Sequence, residues 1–199
     1  MARRKEQSAE TEQALKDAAR RLFAERGYLN TKITDITAAA GRAAGSFYNH
    51  FASKEELLQQ LLKDFAAEGD TAADAQEHNP DFTDPDAIRY HVRAYWGFAR
   101  RHWPVLRAVN QAALVNEDFA RLSAHFAAEQ RRDIADHLDG FGVAGIQLPS
   151  TRDGSLAMMF AMIHGLLEAA AEGAVELTDE QAVEGLTRFI YRGLTGRDY

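Results

Sequence analysis

The 199-residue chain is 46% hydrophobic and 27% charged, the composition of a soluble globular protein of one domain or two small ones, not of a disordered chain. It has no cysteine, which excludes disulfides, thiolate nucleophiles and cysteine-ligated metals. The net charge of −7 argues at first against a nucleic-acid partner, yet the charge is unevenly placed: residues 1–54 hold ten Lys/Arg against six Asp/Glu, and residues 55–199 hold thirteen against twenty-four. Chance variation along a surface gives such a split less readily than a molecule whose basic end meets phosphate.

The start, Met1-Ala2-Arg3-Arg4-Lys5, is basic, but Glu6, Ser8, Glu10 and Glu12 stand where a signal peptide needs an apolar run, so a cytoplasmic chain is expected. Leu15, Ala18, Ala19, Leu22 and Phe23 repeat on one helical face, with Ser8 as the expected cap and Gly27 as the stop. Thr31 is placed to cap a short second helix carrying Ile33, Ile36, Thr37 and Ala40; Gly41 breaks it, and a third short helix is expected over Arg42 to Phe51. Two short helices around a turn containing Gly form a helix-turn-helix. Ser53-Lys54-Glu55-Glu56 reads as a capping box opening a fourth helix, with Leu57, Leu58, Leu61, Leu62 and Phe65 inside.

From Glu68 to Asp86 the chain turns acidic and is expected to be a surface loop. Asp84-Pro85 starts the next helix, Pro104 another, and a longer one is expected from Glu117 to Asp139. Gly140, Gly142, Gly145 and Pro149 suggest a loop, Ser150 to Asp153 a further capping box, and two last helices run over about 151–172 and 179–195. The expectation is an all-α fold of about nine helices without a strand: an amino-terminal helix-turn-helix head of three helices over 1–52 on a helical body over 53–199. The longest apolar stretch, Leu156 to Val175, contains His164, Glu168 and Glu172, so a buried helix is expected there and no membrane partner.

In the segment 27–58, Phe47 and Phe51 are four apart and are expected to anchor the third helix from behind. The opposite face offers Arg42, Ala43, Ala44, Ser46 and Asn49, small or polar groups that let a helix enter the ~12 Å major groove and bond base edges. Gly45 permits close approach. Tyr48, His50 and Lys54 are placed to reach flanking phosphates, with Lys32 and Thr34 adding contacts from the second helix. Duller readings stand beside these: Tyr48 as a packing residue, His50 as a surface histidine, Lys54 as part of the capping box. Residues 3–5 form either an arm toward DNA or a solvated terminus.

Thr31, Asp35-Ile36, Ala40-Gly41, Gly45, Phe47-Tyr48, His50-Phe51, Ser53-Lys54-Glu55 and Leu57 together resemble the TetR (tetracycline-repressor-like) family over about a quarter of the chain. The resemblance implies a dimeric repressor whose carboxy-terminal helices bind a small inducer, with the Tyr and Lys at the positions of Tyr48 and Lys54 touching phosphate. Arg42-Ala43 departs from the family's usual apolar residue followed by Ser or Thr, so the cap of the recognition helix is missing, at a cost of about 1 kcal/mol. Arg42 then supplies a base or phosphate contact instead.

In the body, Phe160, Ile163, Leu167, Leu186, Phe189 and Ile190 are the expected dimer interface, and Tyr95, Trp96, Trp103, Phe119, Phe126, Met158, Met162 and His164 the candidates for a largely apolar ligand, or equally for a filled core. His125, Glu129, Asp133 and His137 share a helical spacing that suits a metal or, more simply, an exposed charged face. No Gly-rich phosphate loop, nucleophile elbow or metal motif is present, so catalytic residues, metal and cofactor are all expected to be absent. The partners expected are a palindromic DNA operator, a second copy of the chain and a small-molecule inducer; the alternative is a dimeric regulator gated by a protein partner or ungated.

Overall fold

An unbroken supply of helix-forming residues carries the first helix further back than its polar pattern suggests. The computed structural model describes residues 2–74 and 79–199, with side chains over 5–69 and 79–199, and α1 spans Ala2–Arg26. Ser8 therefore lies inside the helix rather than at its cap, and residues 3–5 continue it. Leu15, Ala18, Ala19, Leu22 and Phe23 are buried, each large side chain contributing about 1.5–3 kcal/mol of transfer free energy. Gly27 ends α1 in the left-handed region at φ +79°, its N–H donating to the Phe23 carbonyl at 3.0 Å.

Thr31 does not cap the second helix. It is buried, and its hydroxyl donates back to the Gly27 carbonyl at 2.8 Å, closing the end of α1. Helix α2 (Ile33–Ala39) is opened instead by Asp35, whose carboxylate accepts the Lys32 N–H at 3.0 Å. It closes at Gly41 (φ +65°), with Gly41 N–H donating to Ala38 and Arg42 N–H to Thr37 at 2.9 Å, a Schellman pair.

The third helix is shorter than the expected 42–51. Helix α3 covers Ala44–Phe47, and tight i+3 turns follow, with Asn49 N–H donating to Ser46 and His50 N–H to Phe47. Ala43 occupies the cap position with no side-chain acceptor, as the sequence implies, and the Ser46 hydroxyl turns back to its carbonyl at 2.7 Å. Ser53 does cap α4 (Lys54–Asp74), accepting the Glu56 N–H at 3.2 Å, while Glu56 accepts from Ala52 at 2.5 Å. Because the acidic run has no proline before residue 80, α4 continues through it to Asp74 where a loop was expected; residues 75–78 of that run lie outside the described residues.

Two packing units emerge. The first joins residues up to 74 with 101–124; here α6 (Trp103–Ala113) lies against α1 and α4, over a core that includes Leu57, Leu58, Leu61, Leu62 and Phe65. The second comprises 79–100 and 125–199. Asp84 opens α5 (Pro85–Arg101), accepting the Asp86 N–H at 2.9 Å. α5 is tied to α10 (Asp179–Thr195) by Arg93–Glu180 at 2.9 Å, Arg89–Glu184 at 2.5 Å and the Trp96 indole N–H on Asp179 at 2.9 Å.

The expected helix 117–139 breaks. α7 spans Glu117–Asp133, a 3₁₀ turn follows over Ala135–Leu138, and α8 over Asp139–Val143 replaces the expected glycine loop. The chain turns inward here because His137, Leu138 and Phe141 are buried and Phe82 N–H donates to the His137 carbonyl at 3.0 Å. Helix α9 (Arg152–Ala171) is capped by Thr151 rather than Ser150, Gly154 N–H donating to its hydroxyl at 3.1 Å. Thr178 and Gln181 form a reciprocal box at the start of α10. Among the described residues there are ten α-helices, one more than expected, and no strand. α9 is long and apolar enough to cross a membrane by length and composition, but it buries Leu156, Met159, Ile163 and Leu167 and packs against α10.

Candidate nucleic-acid interface

Local chemistry places the ridge. Phe47 is fully buried and Phe51 nearly so, their ring centres 5.6 Å apart, and they hold α3 from behind as expected. With those anchors facing in, Arg42, Ala43, Ala44, Gly45 and Asn49 face out and Ser46 is half-buried between them. A Cβ placed on Gly45 would meet nothing within 4 Å, so the backbone there is open to close approach. Tyr48 is 62% exposed, its ring resting edge-on against Phe47 at 5.6 Å. Lys32 and Thr34 are exposed at the start of α2.

Two of the expected phosphate contacts are occupied otherwise. The Lys54 ammonium donates to the carbonyls of Tyr28 at 2.8 Å and Thr31 at 2.9 Å and lies 4.0 Å from the centre of the Tyr28 ring. Desolvation pulls its pKa down, partly offset by the neighbouring Glu55 carboxylate. Lys54 therefore braces the turn behind the ridge. The His50 side chain is only 9% exposed and turns toward α1, Nδ1 standing 3.9 Å from the Glu12 carboxylate.

Three cations of the basic head are answered by carboxylates from within it. Lys16, almost buried, pairs with Glu12 at 3.0 Å and Asp64 at 3.2 Å; Arg20 pairs with Asp17 at 2.9 Å and Arg26 with Asp35 at 3.5 Å. Among the described residues no carboxylate lies within 4.0 Å of Lys32 or Arg42, which leaves these two as cations of the ridge. Sequence reading could not sort these cations, because Asp64 lies 48 positions beyond Lys16.

The body candidates fall in different surroundings. Trp103 and Phe119 belong to the first packing unit, and Tyr95, Trp96, Phe126, Met158, Met162 and His164 to the second. Trp96 and Phe119 are core, at 3% and 1% exposure. The Tyr95 hydroxyl meets His164 Nε2 at 2.6 Å; burial pushes the phenol pKa up and the imidazole pKa down, so both stay uncharged near neutrality. Tyr95 also packs edge-on against Phe160, which faces α5. Ile163, Leu167, Leu186 and Ile190 are buried within one chain, where a dimer surface was expected, because the α9–α10 contact consumes that face. The residues that the pair leaves exposed include Met158, Ala161 and Gly165 on α9 and Gly185 and Phe189 on α10, Phe189 at 67%, beside the charged Glu168 and Arg188.

The histidine stripe does not hold together. His125 pairs with Glu129 at 3.2 Å on α7, whereas His137 lies beyond the helix end, its Nδ1 on Asp136 at 2.7 Å and its Nε2 on His91 at 2.9 Å. Among the described residues no cluster of three or more His, Asp or Glu is arranged to hold a metal ion.

Comparison with known proteins falls first on this head. Residues 15–61 match the family of bacterial regulatory proteins, tetR family. The segment is similar to the HTH-type transcriptional repressor KstR2 of Mycobacterium tuberculosis, 49% identical over 51 residues, which are 26% of this chain and 26% of that protein. The match thus spans about a quarter of the length of that curated relative. Across nearly the whole chain the fold is that of a TetR-like transcriptional regulator from Rhodococcus sp. RHA1 (TM-score 0.68, 20% identity, 92% of this chain and 94% of that one). It is also the fold of the fatty acid degradation regulator FadR from Bacillus halodurans (TM-score 0.75, 16% identity, 95% and 97%). The amino-terminal helix-turn-helix segment is thus similar to the tetR family of bacterial regulatory proteins, and the chain as a whole has the fold of TetR-like regulators.

Proposed function

We propose that the chain is a homodimeric, cytoplasmic transcriptional repressor that binds a palindromic DNA operator and is released from it by a small, largely apolar ligand, and that it acts by binding rather than by catalysis. The observation that carries this reading is the ridge from Arg42 to Asn49: small and polar outward, held by fully buried Phe47 inward, with Gly45 open to approach. Such a ridge fits the major groove, where Arg, Ser and Asn bond base edges and Tyr48 reaches a phosphate. We assign 1–52 to DNA binding and 53–199 to regulation and dimerisation.

A single short recognition helix is a weak reader of DNA, and two related by a two-fold axis read paired half-sites about one helical turn, ~34 Å, apart. The exposed strip of Met158, Ala161, Gly165, Gly185 and Phe189 supports a second copy as the partner, since small residues allow close helix approach around an aromatic knob. The uncharged Tyr95–His164 pair amid aromatic side chains supports an apolar ligand with one or two polar anchors.

Selection of bound fragments from random double-stranded DNA tests the reading. The expected outcome is a palindromic consensus bound with salt-sensitive affinity. Loss of that binding on adding a cell extract freed of protein supports the small ligand; recovery of no fragment at all overturns the proposal.

A further inference from the structure

The turn between α1 and α2 is tied down by side chains from elsewhere in the first packing unit. At the end of α2 the helix satisfies its own trailing amide, Arg42 N–H reaching Thr37 at 2.9 Å. At the end of α1 the single Gly27–Phe23 bond leaves the next amide, Tyr28 N–H, with no helix carbonyl to meet. That donor is taken by Gln111 Oε1 on α6, at 2.7 Å. The Gln111 amide also lies over Gly27, where a Cβ would come within 3.0 Å of it. Lys54 holds the carbonyls of the same turn from α4, and the Tyr28 hydroxyl donates to Glu55 at 2.9 Å.

We infer that Gln111 is a positioning residue for DNA binding: its side chain pins the α1–α2 turn to α6 and so sets the orientation in which α2 and α3 are presented. It touches neither base nor phosphate. Its leverage comes from geometry, because Tyr28 lies within five residues of α2, so a displacement of α6 is handed to the ridge through one amide. The nearby carbonyls are already bound by Lys54, and no other acceptor meets the Tyr28 N–H among the described residues.

The absence of cysteine makes a direct test available. Asn49→Cys and Leu114→Cys place spin labels on the exposed ridge and at the exposed end of α6, and dilution with unlabelled chain restricts the reading to distances within one molecule. In the full-length protein, Gln111→Met keeps length but removes the acceptor, and Gln111→Glu keeps the acceptor. The expected result is a narrow distance distribution for the parent and Gln111→Glu, a broadened or displaced one for Gln111→Met at unchanged helical content, and, without the labels, about a tenfold loss of affinity for selected DNA in Gln111→Met alone.

A merely structural role would lower the melting temperature and leave the distances of the folded molecule unmoved; that result overturns the inference. Should Gln111→Met not fold, Gln111→Asn, one methylene short of Tyr28, is read in the same way. The affinity arm rests on the proposed function and the distance arm does not, so a parent that binds no DNA while the distances respond sinks the function and leaves the pin standing.

Discussion

The Lys54 ammonium stands 2.8 Å from the carbonyl oxygen of Tyr28 and 4.0 Å from the centre of the same residue's ring, so one cation closes both the backbone and the side chain of the turn that precedes the recognition ridge. The arrangement separates two roles that a lysine at this position can have. A phosphate ligand contributes through its charge at the DNA surface, whereas a brace contributes through the fold.

Lys54→Met is therefore expected to lower stability by about 1–3 kcal/mol, since two carbonyls lose a charged donor. Its effect on the salt dependence of DNA binding is expected to be nil. Removal of a phosphate contact lowers the slope of log K against log salt by about 1, so titrations at four or five salt concentrations distinguish the roles. A reduced slope would return Lys54 to the DNA surface.

Glu55 makes the same turn sensitive to acid. Its burial pushes the carboxyl pKa up, but bonds from its own backbone N–H and from the Tyr28 and Ser53 hydroxyls, with the Lys54 charge beside it, outweigh that and hold it below the ordinary value of 4.5. The stability this contributes is complete above pH 4.5 and is lost as pH falls through the lower folded value. Tyr28→Phe removes one donor and is expected to cost about 1 kcal/mol near neutrality, discounted for partial exposure. Melting curves should show parent and variant converging in acid; a constant difference across pH would refute the assignment.

Tyr48 and Asn49, adjacent on the ridge, should fail in different ways. Tyr48→Phe is expected to weaken selected and random DNA alike, by several-fold, with the preferred sequence unchanged. Asn49→Ala is expected to relax preference at one base position by about 1–3 kcal/mol and to leave random DNA almost untouched. Repeating the fragment selection with each variant reads both outcomes, and an altered consensus for Tyr48→Phe would contradict its phosphate role.

Phe189 and Ile190 are neighbours on α10 with opposite surroundings, 67% and 2% exposed. Phe189→Glu is expected to convert a dimer to a monomer at micromolar concentration, seen by sedimentation equilibrium, with helical content retained. Ile190→Ala is expected to destabilise the single chain by about 2–5 kcal/mol through a core cavity. A monomeric parent protein, or a Phe189→Glu protein that stays dimeric, would move the interface elsewhere.

Helix ends with strong local chemistry were legible in the sequence: Gly27 and Gly41 reach positive φ, Ser53 caps, and Pro85 follows its Asp. The buried anchors Phe47 and Phe51, set by a four-residue spacing, were legible too. Thr31 departs from the expectation because its hydroxyl has two possible partners, an amide two or three residues ahead or a carbonyl four residues back, and burial decides for the Gly27 carbonyl. The break after Asp133 and the inward turn of His137 depend on Phe82 and His91, both more than forty residues away in sequence. Gln111 was equally invisible, since nothing near it in the chain announces a partner 83 residues upstream.

The ion pairs of Lys16, Arg20 and Arg26 with carboxylates of their own unit bear on how this head would find its target. Cations already answered internally expel little condensed sodium or potassium when a duplex arrives, which leaves the ionic part of the encounter to cations such as Arg21, Lys32 and Arg42. The salt slope would then be smaller than the count of basic residues suggests, with residence decided by shape and by bonds to the base edges, which favours discrimination between sites over indiscriminate adhesion to the chromosome.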